Sequence, residues 1–156
     1  MAKPKSKTKA NLDYIFSLYI RLRDSYKGKV KCPLCWKIML WRDSQNMHFV
    51  KRTYLKYRRD EENCYAGCKG CNVFLNWNYQ KYTMFMIKKF WVERVEQMIN
   101  DKSLGCFKEY ELAEMCDKYA EKFNEMAKNK QIPLYFNKTK NGNYTLKVRK
   151  SDTLWI

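Results

Sequence analysis

Four cysteines fall in two Cys-x-x-Cys pairs, Cys32/Cys35 and Cys68/Cys71, and bracket the only histidine of the chain, His48. Each such turn can bring two thiolates onto one ion at about 2.3 Å. Two of them complete a tetrahedral structural zinc site with no coordination position left over. The metal then does not need the histidine. The 32 residues between Cys35 and Cys68 leave room for a hairpin and a loop. A redox dithiol is the rival for a single pair, but two pairs without a strand–helix–strand pattern favour zinc. Cys64 is a spare thiol, and Cys106 and Cys116 are expected as small core residues in helical contexts.

An imidazole titrates near neutrality and can take a proton from water. Phosphodiester hydrolysis requires that base, together with a divalent ion that neutralises charge on the phosphate and the leaving oxygen. Asn72 directly follows Cys71, so the second knuckle would fix its amide oxygen as a ligand for Mg²⁺ or Mn²⁺. Asn63 precedes that knuckle and could hydrogen-bond the backbone around His48, aiming the ring. Each residue has a plainer alternative, since a lone histidine beside an aromatic usually packs and loop asparagines usually make turns. The joint order of knuckle, histidine and asparagines predicts a small metal-dependent nuclease with His48, Asn63 and Asn72 as its catalytic set.

The elements that must position these groups follow from periodicity. Leu12, Ile15, Phe16, Tyr19 and Ile20 recur at helical steps, so a helix capped by Asn11 or Asp13 is expected to run to about Tyr26 and end at Gly28. Residues 30–50 read as the first knuckle and a short hairpin, with strands 36–41 and 47–50 around a turn at Asp43-Ser44. Residues 51–62 form a basic loop, and a short helix begins near the second knuckle. Long amphipathic helices are expected over 82–100 and 108–129, and Asn141-Gly142 signals a C-terminal hairpin. The fold class is α+β, mostly helical. The segments are a basic flexible arm at 1–10, a zinc-containing domain at 11–130 and a basic hairpin extension at 131–156.

Thirty-two Lys+Arg against 16 Asp+Glu give a net charge of +16, and a polyanion is the simplest reason to tolerate that self-repulsion. Nucleic acid leads over anionic membrane, because no stretch approaches the roughly 18 apolar residues of a spanning helix. No apolar export core follows the basic N-terminus, so an intracellular protein with reduced thiols is expected. Lys51, Arg52, Lys56, Arg58 and Arg59 place five cations just after the histidine as phosphate contacts, with Tyr54 and Tyr57 interleaved as stacking candidates. Lys88, Lys89 and Arg94 would extend that surface, as would the C-terminal cations Lys138, Lys140, Lys147, Arg149 and Lys150. Such binding would be largely blind to sequence, and no recognition-helix spacing follows either knuckle.

From Leu12 to about Lys128 the chain resembles the NinG (Rap) recombination proteins of bacteriophages, within the wider HNH, or ββα-metal, nuclease group. The matching segments are LDYIFSLYIRLRD at 12–24, CPLC at 32–35, HF at 48–49, RRDEENCYAGCKGCN at 58–72, and Asn78 with Tyr82. The resemblance implies a zinc-stapled ββα site with His48 as general base, Asn63 orienting it and Asn72 holding the divalent ion. It implies endonuclease activity on branched DNA such as D-loops and Holliday junctions. Two cuts resolve a four-way junction, so a homodimer would suit. The chain departs from the pattern at Gln45 and Met47, where relatives often carry an acidic residue, and at Tyr65, where a second histidine is replaced. These departures favour the alternative of a catalytically silent, zinc-stapled nucleic-acid-binding module.

Overall fold

The computed structural model describes residues 7–101 and 103–149, with the backbone alone at 75–77. Most of the arm expected at 1–10, and the tail from Lys150, lie outside the described residues. About half the chain is helical, less than the mostly helical content expected. The residues pack as two units, Asp24–Cys106 and Met1–Arg23 with Phe107–Ile156, a division the sequence reading did not draw.

In the unit formed by the chain ends, helix α1 (Lys7–Arg23) packs on α5 (Glu109–Asn129). Phe16 and Tyr19 meet Tyr119 edge-on or tilted, at centroid distances of 4.8 and 5.4 Å. Among the described residues the helix already includes the four before Asn11, so neither Asn11 nor Asp13 is its cap. Instead its amide binds both backbone groups of Tyr144, Nδ2 donating to O at 3.1 Å and Oδ1 accepting from N at 3.0 Å. Strands β5 (Leu134–Lys138) and β6 (Tyr144–Val148) form the hairpin expected around Gly142, whose φ of 76° suits glycine. Phe136 turns in against Phe123 at 4.9 Å, and Asn124 clamps the Phe136 backbone through bonds of 2.9 and 2.6 Å.

The other unit carries the four knuckle cysteines with His48, Asn63 and Asn72. Strands β1 (Lys29–Lys31) and β2 (Ile38–Leu40) pair with each other, joined through the first knuckle. Strand β3 (Gln45–His48) pairs with β4 (Cys64–Gly67). This corrects the expected hairpin, which paired the strand before Asp43-Ser44 with the strand after it. The knuckle is itself a tight turn, with Trp36 N donating to Cys32 O and Cys32 N to Lys37 O, so β2 folds back onto β1. β3 is then left to find a partner further along the chain.

Two short helices, α2 (Leu55–Arg58) and α3 (Lys69–Val73), flank β4, and α3 packs on β3. Helix α4 (Leu75–Asn100) starts earlier than expected and breaks at Trp91, whose φ of 67° and ψ of 165° are non-helical. Tyr82 on α4 is fully buried and donates from Oη to Met47 O at 3.2 Å, fastening β3 to the helix. Gly105 lets the following segment lie against α2, because a Cβ there would stand 2.7 Å from the Lys56 nitrogen.

Candidate functional site

The Sγ atoms of Cys32, Cys35, Cys68 and Cys71 all lie within 4.8 Å of one another, with Cys35 and Cys68 3.6 Å apart. A tetrahedron with 2.3 Å metal–sulfur bonds has an edge of about 3.8 Å, so the four fit one zinc ion. Cys64 is not among them. It is buried in β4 opposite His48, with its thiol 3.9 Å from Arg58 O. Cys106 is exposed rather than a core residue, while Cys116 is buried as expected. Burial acts to raise the Cys68 pKa, but the Cys71 amide and the neighbouring thiols outweigh it and pull it below the ordinary value. Burial, then Cys35 and Cys68, push the Cys71 thiol up. Thiols so crowded share their protons unequally, and a divalent cation is what lets all four ionise.

The second knuckle N-caps α3 through Cys68 Sγ, which accepts from Cys71 N at 3.3 Å. Asn72 is therefore held one residue from a thiol ligand, and its Nδ2 donates to Gln45 Oε1 on β3 at 2.7 Å. With the nitrogen engaged, Oδ1 is the atom that can take a cation. From sequence Gln45 stands out only as the lack of an acid; its amide partner lies across the β3–α3 contact, which no local signal marks.

His48 ends β3. Its Nε2 lies 3.0 Å from Arg58 O, and a carbonyl only accepts, so Nε2 carries the proton and the ring's lone pair is on Nδ1. That nitrogen is the basic one. The loop supplying the carbonyl is closed by Asn63, whose side chain is fully buried. Asn63 Oδ1 accepts from Val50 N at 2.7 Å, and Nδ2 donates to Val50 O at 3.0 Å and Tyr57 O at 2.9 Å. The amide thus pins the backbone on both sides of the loop, one residue from the carbonyl that holds the imidazole.

A cleft of about 270 Å³ is lined by His48, Phe49, Lys51, Arg52, Thr53, Asn72 and Tyr79. His48 and Asn72 therefore face one space, floored by Phe49 and Tyr79 stacked at 5.3 Å. The Tyr79 position could have been read from its spacing three residues before Tyr82 on one helix. Of the five expected phosphate contacts, Lys51 and Arg52 line the cleft. Lys56 bonds to Asp101, Arg58 is half-buried, and Arg59 is only 5 % exposed. Tyr57 is buried and does not offer a face to stack on. Burial and its bond to Asp101 push its phenol up to about 12. Arg94 bonds to Glu62 at 2.6 Å, Lys138 to Asp117 at 2.7 Å, and Arg149 to Asn124 O at 3.4 Å. No helix among the described residues is long and apolar enough to cross a membrane.

A family model described as bacteriophage lambda NinG protein matches residues 1–130. The chain belongs to the NinG family. The match spans both packed units and ends just after α5, so the C-terminal hairpin lies beyond it. NinG membership points to a role connected with phage recombination. No curated protein and no solved structure matches the chain.

Proposed function

We propose that this NinG protein is a divalent-metal-dependent endonuclease of the HNH, or ββα-metal, group that hydrolyses phosphodiester bonds in branched DNA, such as D-loops and Holliday junctions. The observation that carries the reading is one cleft lined by His48, Asn72, Lys51 and Arg52, an imidazole, an amide and two cations. The pairing of β3 with β4 and the packing of α3 on β3 support this reading.

His48 Nδ1 takes the proton of the attacking water while Nε2 stays bonded to Arg58 O, so the ring gains charge without turning. Asn63 keeps that carbonyl in place and is a positioning residue. Lys51 and Arg52 hold the phosphates flanking the scissile bond. Asn72 Oδ1 would hold Mg²⁺ or Mn²⁺, whose chemistry there would be to neutralise charge on the phosphate and the leaving oxygen. The residue set fits a cation that keeps most of its waters. None of the described residues lining the cleft is a carboxylate, so DNA phosphate must complete the site. Zinc at the four cysteines is structural, and a homodimer would serve paired cuts.

That lack of a carboxylate also favours the second reading, a silent zinc-stapled module that binds DNA without cutting it. Labelled four-way junction, D-loop and linear duplex with Mg²⁺ or EDTA separate the two. Mg²⁺-dependent nicking confined to the branched substrates is expected. Tight binding with no cleavage in Mg²⁺ or Mn²⁺ would leave only the module.

A further inference from the structure

Trp36 directly follows the first knuckle with a φ of 65°, and it is 67 % exposed. Glycine takes that backbone conformation with least strain, and an indole two-thirds exposed gains little from burial. Burial therefore gives little reason for tryptophan here. The Lys31 ammonium sits 4.6 Å from the ring centroid. The ring also lines a groove of about 710 Å³ with Leu34, Lys81, Met84, Phe85 and Lys88, and none of the described lining residues is a carboxylate.

We propose that this groove is a second nucleic-acid contact that seats an unpaired nucleotide, its base stacked on Trp36 and its phosphates beside Lys31, Lys81 and Lys88. An exposed aromatic ring with cations beside it is what single strands use, and with Lys31 over one face of the indole the base takes the other. The apolar floor of Met84 and Phe85 takes the edge of the base. The groove shares no lining residue with the His48 cleft, so it binds without cutting. It gives a branch-cutting enzyme a means of recognising the unpaired nucleotides that linear duplex lacks. This inference rests on the nucleic-acid reading above and deepens it.

The test measures anisotropy of a labelled single strand and of a blunt duplex, on zinc-loaded protein with EDTA omitted and no Mg²⁺. Trp36→Gly should keep its zinc, melt at or above the wild-type temperature, and bind the single strand about five- to a hundred-fold more weakly. Duplex affinity should change less than two-fold, and Trp36→Phe should recover most of the loss. Trp36→Leu retains the backbone strain without the ring and should bind as weakly as Trp36→Gly. Unchanged single-strand affinity in both the Gly and Leu variants would overturn the stacking role, while His48-dependent nicking by the same proteins would leave the endonuclease standing. Equal losses for single strand and duplex would also overturn it. Wild-type protein that binds neither probe would bring down both proposals.

Discussion

Asn124 and Asn63 make the same pair of bonds in the two units and serve different ends. Each amide accepts from the N–H and donates to the C=O of one residue, Phe136 for Asn124 and Val50 for Asn63. Asn11 repeats the device on Tyr144. In the unit of chain ends the clamp docks a hairpin onto helices, which apolar packing already holds. In the other unit Asn63 adds a third bond, to Tyr57 O, and the loop it closes carries the carbonyl that holds His48. An asparagine that looks catalytic can thus be doing ordinary backbone work. What distinguishes Asn63 is its burial and its bond to Tyr57 O, one residue from the carbonyl that holds His48.

The largest expected break in this comparison comes from the metal. Structural zinc contributes about 10–16 kcal/mol in small knuckle peptides. Chelation should therefore release the amides of β3, β4 and α3 to hydrogen exchange. The amides of α1, α5 and the hairpin, held by Phe16, Tyr119, Phe123 and Phe136, should keep their protection. Equal loss in both units would show that the cysteine cluster is not what separates them.

The clamps themselves should differ. Asn63→Ala strands three backbone groups in a fully buried setting and should cost about 3 kcal/mol or more in denaturant unfolding. Asn124 is half-buried, water can replace its bonds, and Asn124→Ala should cost about 1 kcal/mol. Similar losses would mean that burial does not set the difference.

Two aspartates sharpen the contrast with opposite signs. Lys138, helped by Tyr144 and opposed by burial, holds Asp117 below the ordinary 3.8. Its contribution is present above that pH and fades as the pH falls through the lowered value. Burial lifts Asp60 above 3.8, opposed by the bond from the Glu62 amide and helped by the Glu62 charge. Its contribution is present only below that pH and is lost as the pH rises through the raised value. At neutral pH, Asp117→Asn should destabilise by at most about 1 kcal/mol, since the Lys138 pair is half-exposed. Asp60→Asn should stabilise slightly, keeping the bond to the Glu62 amide. Melting curves at pH values either side of about 4 check both signs.

What could be read in advance was local. The two knuckles, the helix at 108–129 and the turn at Asn141-Gly142 each announce themselves within a few residues, and all appear. Strand partners do not. β2 and β3 are too short for their apolar pattern to choose between β1 and β4, so the wrong hairpin was the natural reading. Tyr57 and Arg59 are buried inside a stretch that looks like a solvated basic loop, and Tyr57 is held by Asn63 and Asp101 from elsewhere in the chain. The break at Trp91 has no proline or glycine to mark it. His48, Asn63 and Asn72 could be picked out because the knuckles and the order of residues pointed at them. Gln45 could not, since its meaning lies in a bond to a residue on another element.

The central claim is that His48 activates water in a cleft whose cation sits on Asn72. It is tested most directly by single-turnover nicking of a labelled four-way junction with Mg²⁺, comparing wild type and His48→Ala at saturating protein. The account predicts a loss of about 10²- to 10⁴-fold in rate, with zinc content and junction affinity unchanged. Nicking by His48→Ala at the wild-type rate would contradict it.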